Sequence, residues 1–335
     1  MRTSPGATGP FADTPLKWIG VVTALLSVLL LLNHASKVFA EIRDRQRQVG
    51  ELQAMADQQQ RAGDFQKAWA SLERAETTAG EGSYLARLAS SPEAERQALR
   101  AAQEDLAMAW LERASAAGGA RFSDTVDPLL PALTRGVETA AGQRKADLLA
   151  HVGWAQFLKS RDGGAEPTDP EPVYRQAIGV DAANPYAHAH WGHWLAWKRG
   201  PVEEVAAHFD AALASGRARP YVRSLQLASL QLAGNGAGQA AFLTAVADMV
   251  RNQEPVASGV RNVVFLLYER ACGDDTRFAR LAAAVPPATQ IAVIRALFFD
   301  VDFDPARESA RDACLARLQD AGTAVAAAPA APAAP

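Results

Sequence analysis

The stretch WGHWLAWKRGPVEEVAAHFDAALA, residues 191–214, decides the fold of this 335-residue chain. It holds two runs of apolar residues at helical spacing, separated by a turn at Gly200 and Pro201. Gly192 in the first run is small and Phe209 in the second is large. The first helix can therefore approach the second closely while the ring fills the space between them, and the stretch predicts a tightly packed helix pair.

The same spacing of small and large residues occurs in two further stretches. Residues 56–75 follow it without a gap, and residues 153–177 follow it with a longer loop from Arg161 to Pro172. A helix pair of this kind leaves an apolar face open, so neighbouring pairs must stack. The shared positions are Ala56, Gly63, Phe65, Ala68, Leu72 and Ala75 in the first stretch, Gly153, Tyr174 and Ala177 in the second, and Trp191, Gly192, Leu195, Gly200, Val202, Val205, Phe209 and Ala212 in the third.

These stretches, with the junction VDAANP at residues 180–185, resemble the tetratricopeptide-repeat (TPR) family. The resemblance implies an all-α fold built as an α-solenoid of antiparallel helix pairs. Two features depart from the family pattern: Pro170 stands where a small helical residue is usual, and residues 92–142 and 220–320 match poorly. Those regions are either divergent repeats or capping helices.

Composition supports a helical fold and argues against a nucleic-acid partner. Hydrophobic residues make up 49% of the chain, which allows a sizeable core. Alanine is abundant, together with Leu, Arg, Glu and Gln, and these residues favour helix over strand. The formal net charge of −3 comes from both signs mixed along the chain, so no large basic field is present.

The N-terminal region contains a candidate membrane anchor. Residues 18–32 read WIGVVTALLSVLLLL without a charge, and apolar character continues to Phe39. A helix over residues 18–39 would be about 33 Å long, enough to cross the ~30 Å hydrocarbon core of a lipid bilayer. We therefore expect a single-pass protein of the cell membrane. The alternatives are a cleaved signal peptide, since Val38–Ala40 resembles a cleavage site, and a buried soluble helix.

The sequence pattern predicts six consecutive regions. They are an N-terminal tail (1–17), a transmembrane anchor (18–39), a stalk with the first TPR-like helices (40–142), the clearest repeats (143–219), divergent C-terminal helices (220–322) and a disordered Ala/Pro tail (323–335).

Orientation and redox state are weakly marked in the sequence. The C-terminal flank of the span carries Lys37 and three arginines at 43, 45 and 47, against Arg2 and Lys17 on the other side. The positive-inside rule therefore favours a cytoplasmic bulk domain. Cys272 and Cys314 have no metal-type spacing, and we expect two unpaired buried thiols, or one disulfide if the domain faces an oxidising compartment.

The resemblance also implies a partner-binding groove. In the TPR family, fixed positions of the first helix of each pair line the concave surface. Carried over by register, these positions are Asp147, Ala150, Trp154 and Phe157 in one pair, and Tyr186, Ala189, His193 and Trp197 in the next. An aromatic lining with one Asp and one His suits an apolar or mixed peptide segment. By the same register Trp191 belongs to the core.

The remaining motifs indicate no catalytic or metal chemistry. His188 and His190 lie about 200° apart around a helix axis, and no HExxH motif or cysteine pair completes a zinc site. Walker A, GxGxxG and GxSxG loops are absent from the sequence. We therefore expect neither an enzyme nor a cofactor.

The expected function is that of a membrane-anchored scaffold or adaptor that binds a protein or peptide through its concave helical surface. One alternative is a structural or biogenesis component of a cell-envelope complex for secretion or polysaccharide export, which requires the domain on the outer side of the membrane. The other is an enzyme with an unrecognised site.

Overall fold

The computed structural model describes residues 14–90, 92–114, 121–162, 169–232, 236–299 and 304–327. Every regular element in these ranges is helical, so the all-α prediction is confirmed for the described residues. Contacts divide the chain into two compact units, Met1–Arg113 and Ala114–Pro335. The predicted N-terminal tail lies outside the described residues up to position 13.

Unit 1 begins with one very long helix. Helix α1 spans Thr14–Arg61, 48 residues, and is therefore about 72 Å long. No residue of its apolar section is buried from Ile19 onward. Among the described residues, α1 is a helix that by itself is long and apolar enough to cross a membrane. The predicted span and stalk are thus consecutive parts of the same unbroken helix.

The far end of α1 forms a helix hairpin with α2 (Phe65–Gly80). Gly63 adopts a φ of +80° in the turn, and the Asp64 carboxylate accepts a hydrogen bond from the Lys67 backbone N–H at the start of α2. Helices α3 (Tyr84–Ser90) and α4 (Pro92–Ala114) complete the unit. The hairpin buries small and large residues at the spacing seen in the sequence: Ala56, Phe65, Ala68, Trp69, Leu72 and Ala75.

Unit 2 contains the remaining helices. They are α5 (Phe122–Thr139), α6 (Gly142–Ser160), α7 (Glu171–Val180), α8 (Pro185–Trp197), α9 (Val202–Ala214), α10 (Arg219–Leu232), α11 (Gly236–Arg251), α12 (Ser258–Cys272), α13 (Asp275–Ala284), α14 (Pro287–Phe298) and α15 (Glu308–Ala327), with a 3₁₀ turn at Pro305–Arg307. Neighbours in sequence pack as pairs, α6 with α7, α8 with α9 and α10 with α11. Helix α8 also packs against both α6 and α10.

Two glycines mark the closest approaches inside these pairs. A β-carbon at Gly153 of α6 would lie 2.7 Å from the ring of Tyr174 in α7. One at Gly192 of α8 would lie 3.0 Å from the ring of Phe209 in α9. The predicted contact of a small residue with a large one is therefore found in both pairs, and it allows the two helix backbones to come together.

The start of α8 shows how local sequence places these helices. The Asn184 side chain accepts a hydrogen bond from the Ala187 backbone N–H, and Pro185 occupies the first helical position. Asn is a favoured N-cap residue. Proline is tolerated at the first helical position because a backbone N–H there would have no acceptor within the helix. The junction 180–185 therefore ends one pair and begins the next.

A disulfide joins helices α12 and α15 of unit 2. Cys272 at the end of α12 is bonded to Cys314 in α15, with 5.2 Å between the Cα atoms. The expectation of two unpaired thiols is therefore wrong. The pairing depends on α12 and α15 packing together across 42 residues of sequence, which the spacing of the cysteines does not reveal.

The C-terminal boundary also differs from the prediction. Helix α15 continues to Ala327, so the first residues of the predicted disordered tail, 323–327, are helical. Alanine has the highest helix propensity, which explains why an Ala-rich segment extends a helix that is already formed. The remainder of that tail lies outside the described residues.

Candidate functional site

The structure brings the predicted groove residues together. Helix α6 carries Asp147, Trp154 and Phe157, and α8 carries the other three. The ring of His193 lies 5.1 Å from that of Trp154 and 5.6 Å from that of Phe157, between centroids. The ring of Trp197 is 5.6 Å from Phe157. Tyr186 lies on the same helix, 6.2 Å from the His190 ring.

Most of this aromatic cluster is closed to a partner. Trp154 and Phe157 have no accessible surface, and His193 is buried. Helix α10 packs against α8 and supplies polar partners to two histidines: His190 Nε2 lies 2.8 Å from the Tyr221 hydroxyl, and His193 Nδ1 lies 2.9 Å from Ser229 Oγ. The expectation that Trp154 faces an open groove is wrong, because it and its neighbours form the interior between α6, α8 and α10.

Trp191 also departs from its predicted place. It was expected in the core but is partly exposed. Its ring lies 4.5 Å from the His208 ring of α9, and the Arg175 guanidinium stands 5.5 Å from its centroid. Trp191 therefore packs at the edge of the α8–α9 pair, while Trp194, one turn on, takes the buried position.

The described contacts of Asp147 stabilise the packing of unit 2. Its carboxylate accepts a hydrogen bond from Asn184 Nδ2 at 2.6 Å and pairs with Arg217 at 2.5 Å. Arg217 also lies 3.8 Å from Asp181. These contacts connect α6 to the start of α8 and to the segment before α10, so the predicted acidic contact of the groove is occupied within the chain.

Burial keeps the clustered histidines neutral at physiological pH. The pKa of His190 is well below its usual value, first because burial disfavours the charged ring and then because of the nearby His151. The pKa of His193 is lowered to about 4, mainly by burial and further by Arg161. His190 also stacks on Trp154 with the ring centroids 4.6 Å apart. Neutral rings of this kind donate and accept hydrogen bonds inside a core and do not act as acid–base groups near pH 7.

A second histidine pair lies at the surface of the α8–α9 pair. Nδ1 of His188 is 3.2 Å from Nδ1 of His208, and burial together with His188 lowers the pKa of His208 to about 4. Two imidazoles can begin a metal site but need further ligands. In the part of the chain that the structure describes, no group of three or more His, Cys, Asp or Glu residues could hold a metal ion.

Trp197 retains the most exposure among the six predicted residues. Its side chain is 37% exposed at the end of α8, and its ring stacks on Trp194 with centroids 5.4 Å apart. Asp147 and Tyr186 are partly exposed. A partner could therefore reach Trp197, but not the buried aromatic residues Trp154 and Phe157 that were predicted to line the groove with it.

Sequence reasoning missed a cleft between α11, α12 and α13. The cleft has a volume of about 590 Å³, and Arg270, Arg277 and Arg280 stand around it. Leu243, Leu267 and Leu281 provide apolar lining, and no described lining residue is acidic. The spacing of Arg277 and Arg280 on one helix was a visible signal, but the third arginine comes from another helix and only the fold unites them.

No family model, no curated protein and no solved structure matches this chain. The class of protein therefore rests on the helical fold, the apolar α1 and the chemistry of the surfaces described above.

Proposed function

We propose that the chain is a membrane-anchored helical scaffold, TPR-like in construction, that binds a partner protein. The observation that supports this best is the repeated approach of a glycine to an aromatic ring, Gly153 to Tyr174 and Gly192 to Phe209, in two helix pairs whose first helices pack together. Stacked pairs of this kind form extended surfaces that bind other proteins.

The membrane anchor has its own support. The apolar section of α1 is uncovered, whereas a core helix of a soluble protein is buried by its neighbours. The helix also continues without a break past Val38–Ala40, where signal cleavage was the alternative. Beyond that point the same helix supplies the buried residues Arg45, Val49 and Ala56 to unit 1. These observations support our proposal that residues 18–39 form a retained single-pass span.

The partner surface in this proposal is the arginine-lined cleft rather than the predicted aromatic groove. The three guanidinium groups can form paired hydrogen bonds with carboxylates, although Arg277 Nε already lies 4.0 Å from Asp274, and the leucines beside them can cover apolar side chains. The chemistry fits an acidic segment that carries one or two apolar residues. Trp197 offers a separate, smaller apolar contact at the end of α8.

The disulfide favours the outer side of the membrane for the bulk domain. Structural disulfides persist in oxidising compartments and are rare in the cytosol. The Cys272–Cys314 bond therefore supports an orientation opposite to the one that the flanking charges favoured. This orientation favours the alternative function, a structural or biogenesis component of a cell-envelope complex. In that role the cleft would hold an acidic segment of another envelope protein.

Charge reversal in the cleft tests the proposal. The full-length chain is purified from cross-linked membranes as wild type, as Arg277→Glu/Arg280→Glu, and as the control Arg199→Glu/Arg295→Glu, which changes the net charge equally at exposed positions away from the cleft. We expect a cross-linked partner that is recovered with the wild type and the control but lost with the cleft variant. Equal recovery with both variants would show that the partner binds elsewhere.

A further inference from the structure

Helix α3 is held against α1 at both of its ends. The Glu41 carboxylate accepts hydrogen bonds from the Ser83 backbone N–H at 2.6 Å and from Ser83 Oγ at 2.8 Å. At the other end, Arg45 Nη2 donates to Ser90 Oγ at 2.7 Å. Because Glu41 and Arg45 are one helical turn apart, the whole of α3 stays beside that turn of α1.

The face of α3 that points away from these contacts is apolar and uncovered. Ala86 is completely buried, whereas Tyr84 is 72% exposed and Leu88 is 70% exposed. Leu85 is exposed as well. At about 100° per residue, these three side chains share an arc of roughly 100° opposite Ala86. Arg87 is exposed at the edge of this arc.

The position of α3 along α1 coincides with the end of the span. Glu41 and Arg45, which hold the two ends of α3, come two and six residues after Phe39, which corresponds to about 3 and 9 Å of helix rise. The headgroup layer on each side of a bilayer is roughly 5–8 Å thick. Phe39 itself is 67% exposed. The apolar face of α3 therefore extends from within the lipid headgroup layer to its outer edge once residues 18–39 cross the membrane.

We propose that α3 is an interfacial helix whose side chains Tyr84, Leu85 and Leu88 enter the lipid surface beside the span. The inference rests on the membrane anchor of the proposed function and adds to it a second membrane contact. Tyrosine is enriched at the membrane–water interface because its apolar ring can contact lipid while its hydroxyl stays hydrated. Arg87 at the edge of the arc is placed to reach lipid phosphate groups.

The size of the patch favours lipid over a protein occupant. Three side chains bury at most a few hundred Å², whereas a stable protein interface takes roughly 800 Å² from each partner. A lipid surface has no such minimum here because α1 already holds α3 at the membrane. The bilayer can cover the patch without any further association step.

Depth-resolved fluorescence quenching tests this placement. A small environment-sensitive fluorescent amino acid is incorporated genetically at Leu88 in the full-length chain, which is then reconstituted into phosphatidylcholine vesicles containing phosphatidylglycerol. Some vesicles carry a nitroxide near the headgroup and others carry one deep in the acyl region. The same residue at Ser27 reports on the span. Met55 is the matched control, since it is 47% exposed on α1 and about 24 Å beyond Phe39.

The expected result is quenching at Leu88 by the shallow nitroxide that is several-fold stronger than at Met55, with Ser27 quenched best by the deep one. Quenching at Leu88 no stronger than at Met55, with Ser27 still quenched, would overturn the interfacial helix and leave the anchor intact. A blue-shifted but unquenched fluorophore at Leu88 would likewise overturn it, because a protein would then cover the patch. Absence of quenching at Ser27 would refute the anchor itself.

Discussion

The ring of Tyr174 occupies the space that a side chain at Gly153 would need. A β-carbon at position 153 would lie 2.7 Å from Cε1 and 3.1 Å from Cδ1 of that ring. Tyr174 is completely buried, so its ring can move aside only by displacing its neighbours. The contact between α6 and α7 therefore depends on the absence of a single methyl group.

Gly153→Ala should destabilise unit 2. Overpacking a well-packed core costs about 1–3 kcal/mol, and here it outweighs the better helix propensity of alanine, worth about 1 kcal/mol. Thermal unfolding of the full-length protein followed by circular dichroism measures the effect. Gly179→Ala in α7 is the control, because a β-carbon at that position would meet nothing within 4 Å. Equal melting temperatures for the two variants would contradict the close approach.

Trp154→Ala should lower the stability of the protein much more than Trp197→Ala. If both side chains lined an open groove, both variants should instead be nearly as stable as the wild type. Removing the buried Trp154 should cost about 3–5 kcal/mol of unfolding free energy. Removing the partly exposed Trp197 should cost about 1 kcal/mol, chiefly from its stacking on Trp194. Chemical denaturation of the two variants provides the measurement. A Trp154 variant as stable as the wild type would show that the ring is not part of the core.

Stability should fall as the pH is lowered from about 6.5 towards 4. The pKa of His193 in the folded protein is about 4, below the ordinary value of about 6.5, so the unfolded chain binds the proton first and is favoured as pH falls. The pKa of His190 is lowered in the same direction, chiefly by burial. The shift of His193 alone then removes about 1–2 kcal/mol between pH 6.5 and 5, and His190 acts in the same direction.

His193→Asn removes one of these titrations while keeping a side chain that can bond to Ser229. Its unfolding free energy should therefore change less between pH 6.5 and 5 than that of the wild type. The comparison is made by urea denaturation at several pH values. Parallel pH profiles for the two proteins would mean that His193 is accessible to protons in the folded state.

The disulfide should stabilise unit 2 and leave no free thiol. Closing a loop of this length is worth about 2–5 kcal/mol, so a reductant should lower the melting temperature of the wild type. The Cys272→Ser/Cys314→Ser variant should melt at the lower temperature with or without reductant. Alkylation followed by mass spectrometry should add two labels only after reduction. Two labels without reduction would contradict both the bond and the outward orientation proposed from it.

The helix pairs could be predicted from the sequence because their signal is local. Gly192 and Phe209 belong to consecutive helices joined by a short turn, and their sizes alone indicate which faces meet. The apolar α1 was visible for the same reason. Such features need only the helical period and the size of each side chain.

The burial of the aromatic cluster could not be predicted, because it depends on α10. Residues after 220 match the repeat pattern poorly, so nothing in the sequence showed that Tyr221 and Ser229 would pack over His190 and His193. The same limit applies to the arginine cleft and to the Cys272–Cys314 bond. The bond joins helices that are distant in the chain, and the cleft depends on the angles at which the consecutive helices α11, α12 and α13 pack, so both are properties of the tertiary packing.

The unbroken course of α1 has a consequence for how the chain tolerates changes in length. Since no turn separates the proposed span from the hairpin, the direction in which α2 and α3 project around the axis of α1 depends on the number of residues between Phe39 and Glu41. One inserted residue rotates them by about 100° and lifts them by about 1.5 Å. Insertions of about 7 or 11 residues restore the direction to within roughly 20° but raise the hairpin by about 10 or 16 Å. An insertion therefore cannot change the height of α2 and α3 above the proposed span without also changing the direction in which they point, except at these few lengths.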